Sequence, residues 1–72
     1  MPSPRPSPDT AQIAAELHVI GDQVDQLRAR VGGLAEPFLG TDREDLVSAV
    51  HEAERQLHMA ARALRRALKT AS

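Results

Sequence analysis

Two long series of apolar residues constrain this chain more than any other feature. The first is Ile13, Leu17, Ile20, Val24, Leu27, Val31 and Leu34, spaced alternately by four and three. The second is Leu46, Val50, Ala53, Leu57, Ala60, Leu64 and Ala67, with the same alternation. A repeat averaging about 3.5 residues lines one face of an α-helix and makes a coiled-coil seam. Nowhere does the sequence alternate with period two, so no strand is expected. Written as heptads, Ile13, Ile20, Leu27 and Leu34 are d and Leu17, Val24 and Val31 are a. In the second series Val50, Leu57 and Leu64 are a, while Leu46, Ala53, Ala60 and Ala67 are d.

The segment between the series decides how they meet. Gly32 and Gly33 weaken the end of the first helix, and Pro37 cannot continue it, because proline lacks the N–H and clashes with the preceding turn. Thr41-Asp42-Arg43-Glu44 then has the pattern of a capping box, with Thr41 accepting from the Glu44 N–H and Glu44 reaching back to Thr41. The expected organisation is a Pro/Ser-rich disordered tail over 1–7 and a helical hairpin over 8–70. Helix 1 runs over about 8–35, with Ser7 as N-cap and Pro8 as first helical residue. The turn covers about 36–41 and holds Pro37, Phe38, Gly40, Thr41 and Glu44 at its two edges, and helix 2 covers about 42–69. Folding between Phe38 and Leu39 pairs a with d throughout: Val31 with Leu46, Leu27 with Val50, Val24 with Ala53, Ile20 with Leu57, Leu17 with Ala60 and Ile13 with Leu64.

Charge favours the same orientation. Each helix is acidic early (Glu16, Asp22 and Asp25; Asp42, Glu44, Asp45, Glu52 and Glu54) and basic late (Arg28 and Arg30; Arg62, Arg65, Arg66 and Lys69). An antiparallel pair sets opposite signs side by side and suits both helix dipoles. Exposed pairs contribute only about 0–1 kcal/mol each, so they select orientation more than they stabilise.

A chain of 72 residues with no Cys and a single aromatic residue cannot build a large globular core or staple itself with disulfides. A two-helix seam alone is thin. Small or apolar residues flank it at e (Ala14, Gly21, Val47, Ala61 and Leu68), and these are the expected partner-binding residues. The predicted fold class is therefore all-α: an antiparallel two-helix coiled-coil hairpin that dimerises into a four-helix bundle. The expected partner is a second copy, another helical protein, or both.

Little in the sequence points to chemistry. His18, His51 and His58 fall at b, with Glu54 nearby and Asp25 level with His51 in that register. Imidazoles and carboxylates are metal-ligand types, which makes His18, His51, Glu54 and His58 the candidates for a metal site on this flank. The Glu-x-x-His spacing of di-iron bundles is absent: Arg55 stands three residues before His58 and Ser48 three before His51. The basic stretch Arg62–Lys69 has no interleaved aromatic for base stacking, and net charge is −1, so nucleic acid is not an expected partner. No serine has a base or oxyanion framework. No catalytic residues and no cofactor are expected. With no long apolar run and no signal-peptide core, the expected location is the cytoplasm.

Phe38-Leu39-Gly40 forms an F-x-G triplet between two helices. It resembles the W-x-G motif of the helical-hairpin family of small type VII secretion substrates. That resemblance implies a hairpin turn at Phe38 and Gly40, an antiparallel four-helix dimer, and secretion without a cleavable signal peptide. Phe38 stands where the family has Trp. The family's C-terminal export signal, a Tyr followed four residues later by an acidic residue, has no counterpart here.

Overall fold

A computed structural model describes residues 9–72. Helix α1 spans Thr10–Gly33, a 3-10 turn spans Glu36–Phe38, and helix α2 spans Glu44–Ala71. The two long helices pack against each other as a hairpin. The expectations for residues 1–7, Ser7 and Pro8 lie outside the described residues. The cap of α1 is Asp9, whose carboxylate accepts from the backbone N–H of Ala11 at 3.0 Å and of Gln12 at 3.3 Å. That satisfies two donors a helix start leaves open.

Helix α1 ends at the glycine pair, short of Pro37. Pro37 instead opens the 3-10 turn, where its fixed φ fits and its missing N–H has no partner to lose. The chain reverses after that turn. Gly40 has φ +75, the left-handed region that favours glycine. The Thr41 hydroxyl donates to the Phe38 carbonyl at 2.6 Å and accepts from the Arg43 N–H at 3.2 Å. The capping box therefore does not form. Thr41 closes the turn, Arg43 takes the cap position of α2 without a side-chain cap, and Glu44 is the first helical residue.

The seam differs from the expected one in phase and in register. On α1 and the residues just after it the protected positions are Ala14, Leu17, Gly21, Val24, Asp25, Arg28, Val31, Gly32 and Ala35. On α2 they are Leu46, Val47, Val50, Glu54, Leu57, Ala61, Leu64, Leu68 and Ala71. Apart from Asp25 and Gly32 at b and Leu46 at d, these are a and e, not a and d. Among the d residues only Leu46 is half-buried, and Ile13, Ile20, Leu27, Leu34, Ala53, Ala60 and Ala67 are exposed. On α2 the change of edge replaces Ala53, Ala60 and Ala67 in the seam by Val47, Glu54, Ala61 and Leu68; on the α1 side it replaces Ile13, Ile20, Leu27 and Leu34 by Ala14, Gly21, Arg28 and Ala35 and leaves the large residues outward.

Two contacts fix the register. A Cβ on Gly32 would stand 2.5 Å from the Glu54 carboxylate, and Asp25 pairs with Arg65. In the expected register Gly32 faces Asp45 and Asp25 faces Glu52. The observed partners lie 9 and 13 residues further along α2, about two and a half to three and a half helical turns. The delay comes from the 3-10 turn, which carries the chain onward beside α2 before it reverses, and buries Ala35.

Candidate interaction face

Each helical residue advances about 100° around the axis, so b and d lie on opposite sides of an a/e seam. In an antiparallel pair the same heptad position from both helices borders the same side. The pairing of Asp25 with Arg65, both b, marks one flank of the hairpin. The d residues of both helices therefore share the other flank.

The b flank is polar. Asp25 reaches Arg65 across the seam and lies 4.0 Å from Arg28 on its own helix. The Arg28 Nε is buried without a hydrogen-bond partner. His51, Glu54 and His58 share a shallow open cleft with Arg28 and Arg55. His18 stands apart from it, 3.7 Å from Asp22. Asp25 is not level with His51, as the expected register had it, but meets Arg65. Among the described residues no three His, Asp or Glu side chains come together as a ligand set. Two guanidiniums in the same cleft also oppose a cation.

The d flank is apolar. Ile13 is 45%, Ile20 41%, Leu27 47% and Leu34 65% exposed, in one line along α1. Ala53, Ala60 and Ala67 form the matching line along α2 and are also exposed. Val19 and Met59 extend the patch outward. Shallow apolar hollows run along the α1 side between Ile13, Leu17 and Ile20 and again between Leu27, Val31 and Leu34. No large side chain among the described residues is fully buried. This contiguous exposed apolar strip is the candidate contact surface.

The residues expected to bind a partner lie elsewhere. Gly21 and Ala61 are buried, and Ala14, Val47 and Leu68 are half-buried, all between the chain's own helices. They line the contact between the two helices of the same chain. The residues that sequence reasoning placed in the internal seam, Ile13, Ile20, Leu27 and Leu34, are the ones left facing outward. The signal that separates the two sets is the contrast between d and e on α2, where d is alanine and e carries Val47 and Leu68.

At the turn end, the Arg43 side chain hydrogen-bonds Asp45 at 3.2 Å. That bond, with help from the backbone at Leu46, holds the Asp45 carboxyl below its ordinary value. Among the described residues no helix is long and apolar enough to cross a membrane. No family profile, no curated protein and no solved structure matches the chain.

Proposed function

We propose that the protein is a non-catalytic protein–protein interaction module that acts by helix packing. Its d flank docks on two further helices and closes a four-helix bundle, most simply as a homodimer. The observation that carries this reading is the line of half-exposed Ile13, Ile20, Leu27 and Leu34 beside an alanine line on α2. A hairpin with no fully buried large side chain gains its missing core by covering that line. The opposite flank is polar, with Asp25 paired to Arg65 across the seam and His51, Glu54 and His58 beside two arginines. The test is absolute mass by light scattering over a dilution series. A particle of two chains supports the reading; a well-folded monomer at every concentration and with no partner-dependent gain in helix stability overturns it.

A second reading follows from the turn. Phe38-Leu39-Gly40 lies at the reversal, with Phe38 ending the 3-10 turn and Gly40 in the left-handed region. That placement suits a small secreted hairpin resembling the W-x-G family. Its test is the appearance of the intact chain in culture medium in a manner dependent on a type VII secretion system.

A further inference from the structure

We infer that the d flank is covered by a second copy of this chain related by a two-fold axis parallel to the helices, so that α1 of each copy packs on α2 of the other. The inference rests on the packing role proposed above and specifies who meets whom. In this arrangement both turns lie at the same end of the bundle.

Side-chain size makes the choice. The flank presents large residues on one helix (Ile20, Leu27 and Leu34) and small ones on the other (Ala53, Ala60 and Ala67). Two hairpins can meet face to face in two symmetric ways. With the axis perpendicular to the helices, α1 meets α1 and α2 meets α2. Large side chains then oppose large ones on one side and alanine opposes alanine on the other, which splays one pair of helices and crowds the other. With the axis parallel to the helices, every contact joins a large residue to a small one. Helix spacing is then uniform and the layers interdigitate.

The internal register supports the same pairing. A rotation about an axis parallel to the helices leaves every residue at its own height. Within the hairpin the Glu54 carboxylate meets the Cβ position of Gly32, and Asp25 pairs with Arg65. Between them these contacts set Leu27 level with the stretch from Met59 to Ala63, which includes Ala60. By the same step Ile20 falls beside Ala67 and Leu34 beside Ala53. Three large residues thus meet three alanines of the other copy with no sliding of the helices.

Charge is compatible with this pairing. The outer edge of the flank on α1 runs from Asp9 and Glu16 to Arg30, and on α2 from Asp45 and Glu52 to Arg66. Antiparallel neighbours set the acidic end of one helix beside the basic end of the other. With a net charge of −1 each, two copies carry almost no mutual repulsion.

The absence of cysteine gives a clean test. Full-length chains carrying Leu27→Cys or Ala60→Cys, one of them extended by a tag to separate the masses, are oxidised alone and as a mixture. The expected result is a disulfide-linked pair in the mixture, joining one chain of each kind, and none in either sample alone. A Leu27→Cys chain that links to itself places α1 on α1 and overturns the inference. So does a two-chain particle that forms no disulfide in any sample. A monomer by light scattering shows instead that the self-association itself has failed. A second variant, Ala60→Leu, fills the place of the incoming Leu27; it is expected to weaken the two-chain particle at least tenfold while leaving the helical content of the hairpin unchanged. An Ala60→Leu chain that associates as tightly as the parent also overturns the pairing.

Discussion

The two flanks of the hairpin solve the same problem in opposite ways. Both border the same a/e seam, and both are too narrow to be buried by it. The b flank carries charges that pair across the seam, Asp25 with Arg65. The d flank ends in Ile13, Ile20, Leu27 and Leu34, which the other described residues leave 41–65% exposed. A hairpin of this length holds its two helices together with one side satisfied and the other open. The proposed docking rests on the open side, because an exposed apolar line is informative about a contact surface where a solvated charge is not.

The largest effect belongs to the seam that both flanks share. Leu57 is an a residue half-buried at its middle. Leu57→Asp removes a large apolar side chain from the seam and sets a carboxylate in its place, a cost of about 3 kcal/mol, comparable to the whole stability of a chain this small. The expected outcome is loss of cooperative helical unfolding in thermal circular dichroism. A cooperative melt for this variant breaks the seam assignment, and with it the distinction between the flanks.

The next effect separates the flanks directly. Leu27→Glu on the d flank is expected to weaken association roughly a hundredfold, the consequence of about 3 kcal/mol for an unpaired charge in a covered surface. His58→Glu on the b flank is expected to leave the mass unchanged. Light scattering of the two variants at matched concentration checks both. Equal behaviour of the two removes the contrast on which the function is proposed.

A smaller effect probes how closely the helices approach. A Cβ at Gly21 meets no atom within 4 Å, although Gly21 is buried. Gly21→Ala should therefore gain most of the helix-propensity difference, about 1 kcal/mol, and raise the melting temperature. Gly32→Ala should gain less, because the Glu54 carboxylate must move away from the new methyl group. Denaturant titration of both variants measures the difference.

The smallest effect lies off both flanks and serves as a control. Asp45 is held below its ordinary value chiefly by the Arg43 side chain. A carboxyl whose folded value is lowered stabilises the fold above its unfolded value, and that contribution fades as pH falls through the folded value. Asp45→Asn is expected to lower the melting temperature slightly at pH 7 and not at pH 2, with no change in association at either pH.

The fold type was legible because its signals are local. The heptad spacing, Gly32-Gly33, Pro37 and the charge order of each helix all point to a two-helix hairpin, and the structure has one. The phase of the seam was not legible. With apolar or small residues at a, d and e, the period places a stripe on each helix without saying which edge is buried. Arg28 and Glu54 are charged residues at e, yet both lie within the protected face. On α2 the protected edge carries Val47 and Leu68, and on α1 it carries small residues while the large ones at d face outward. Register failed for a different reason. Pro37 reads as the end of a helix, and nothing in Glu36-Pro37-Phe38 announces a further turn that carries the chain onward. The candidate face followed from both errors: once the phase is corrected, the residues expected in the core and those expected at a partner exchange places.

The delayed reversal also sets how the molecule comes together in time. Every contact between α1 and α2 joins residues on opposite sides of the ten positions 34–43. Closing a loop of that size takes on the order of 10–100 ns, and the seam then zips outward from Ala35 toward Ala14 and Ala71. Contacts beside the loop are made first and those at the far ends last, so the left-handed glycine governs how fast the hairpin forms, and the distal alanines govern how long it lasts.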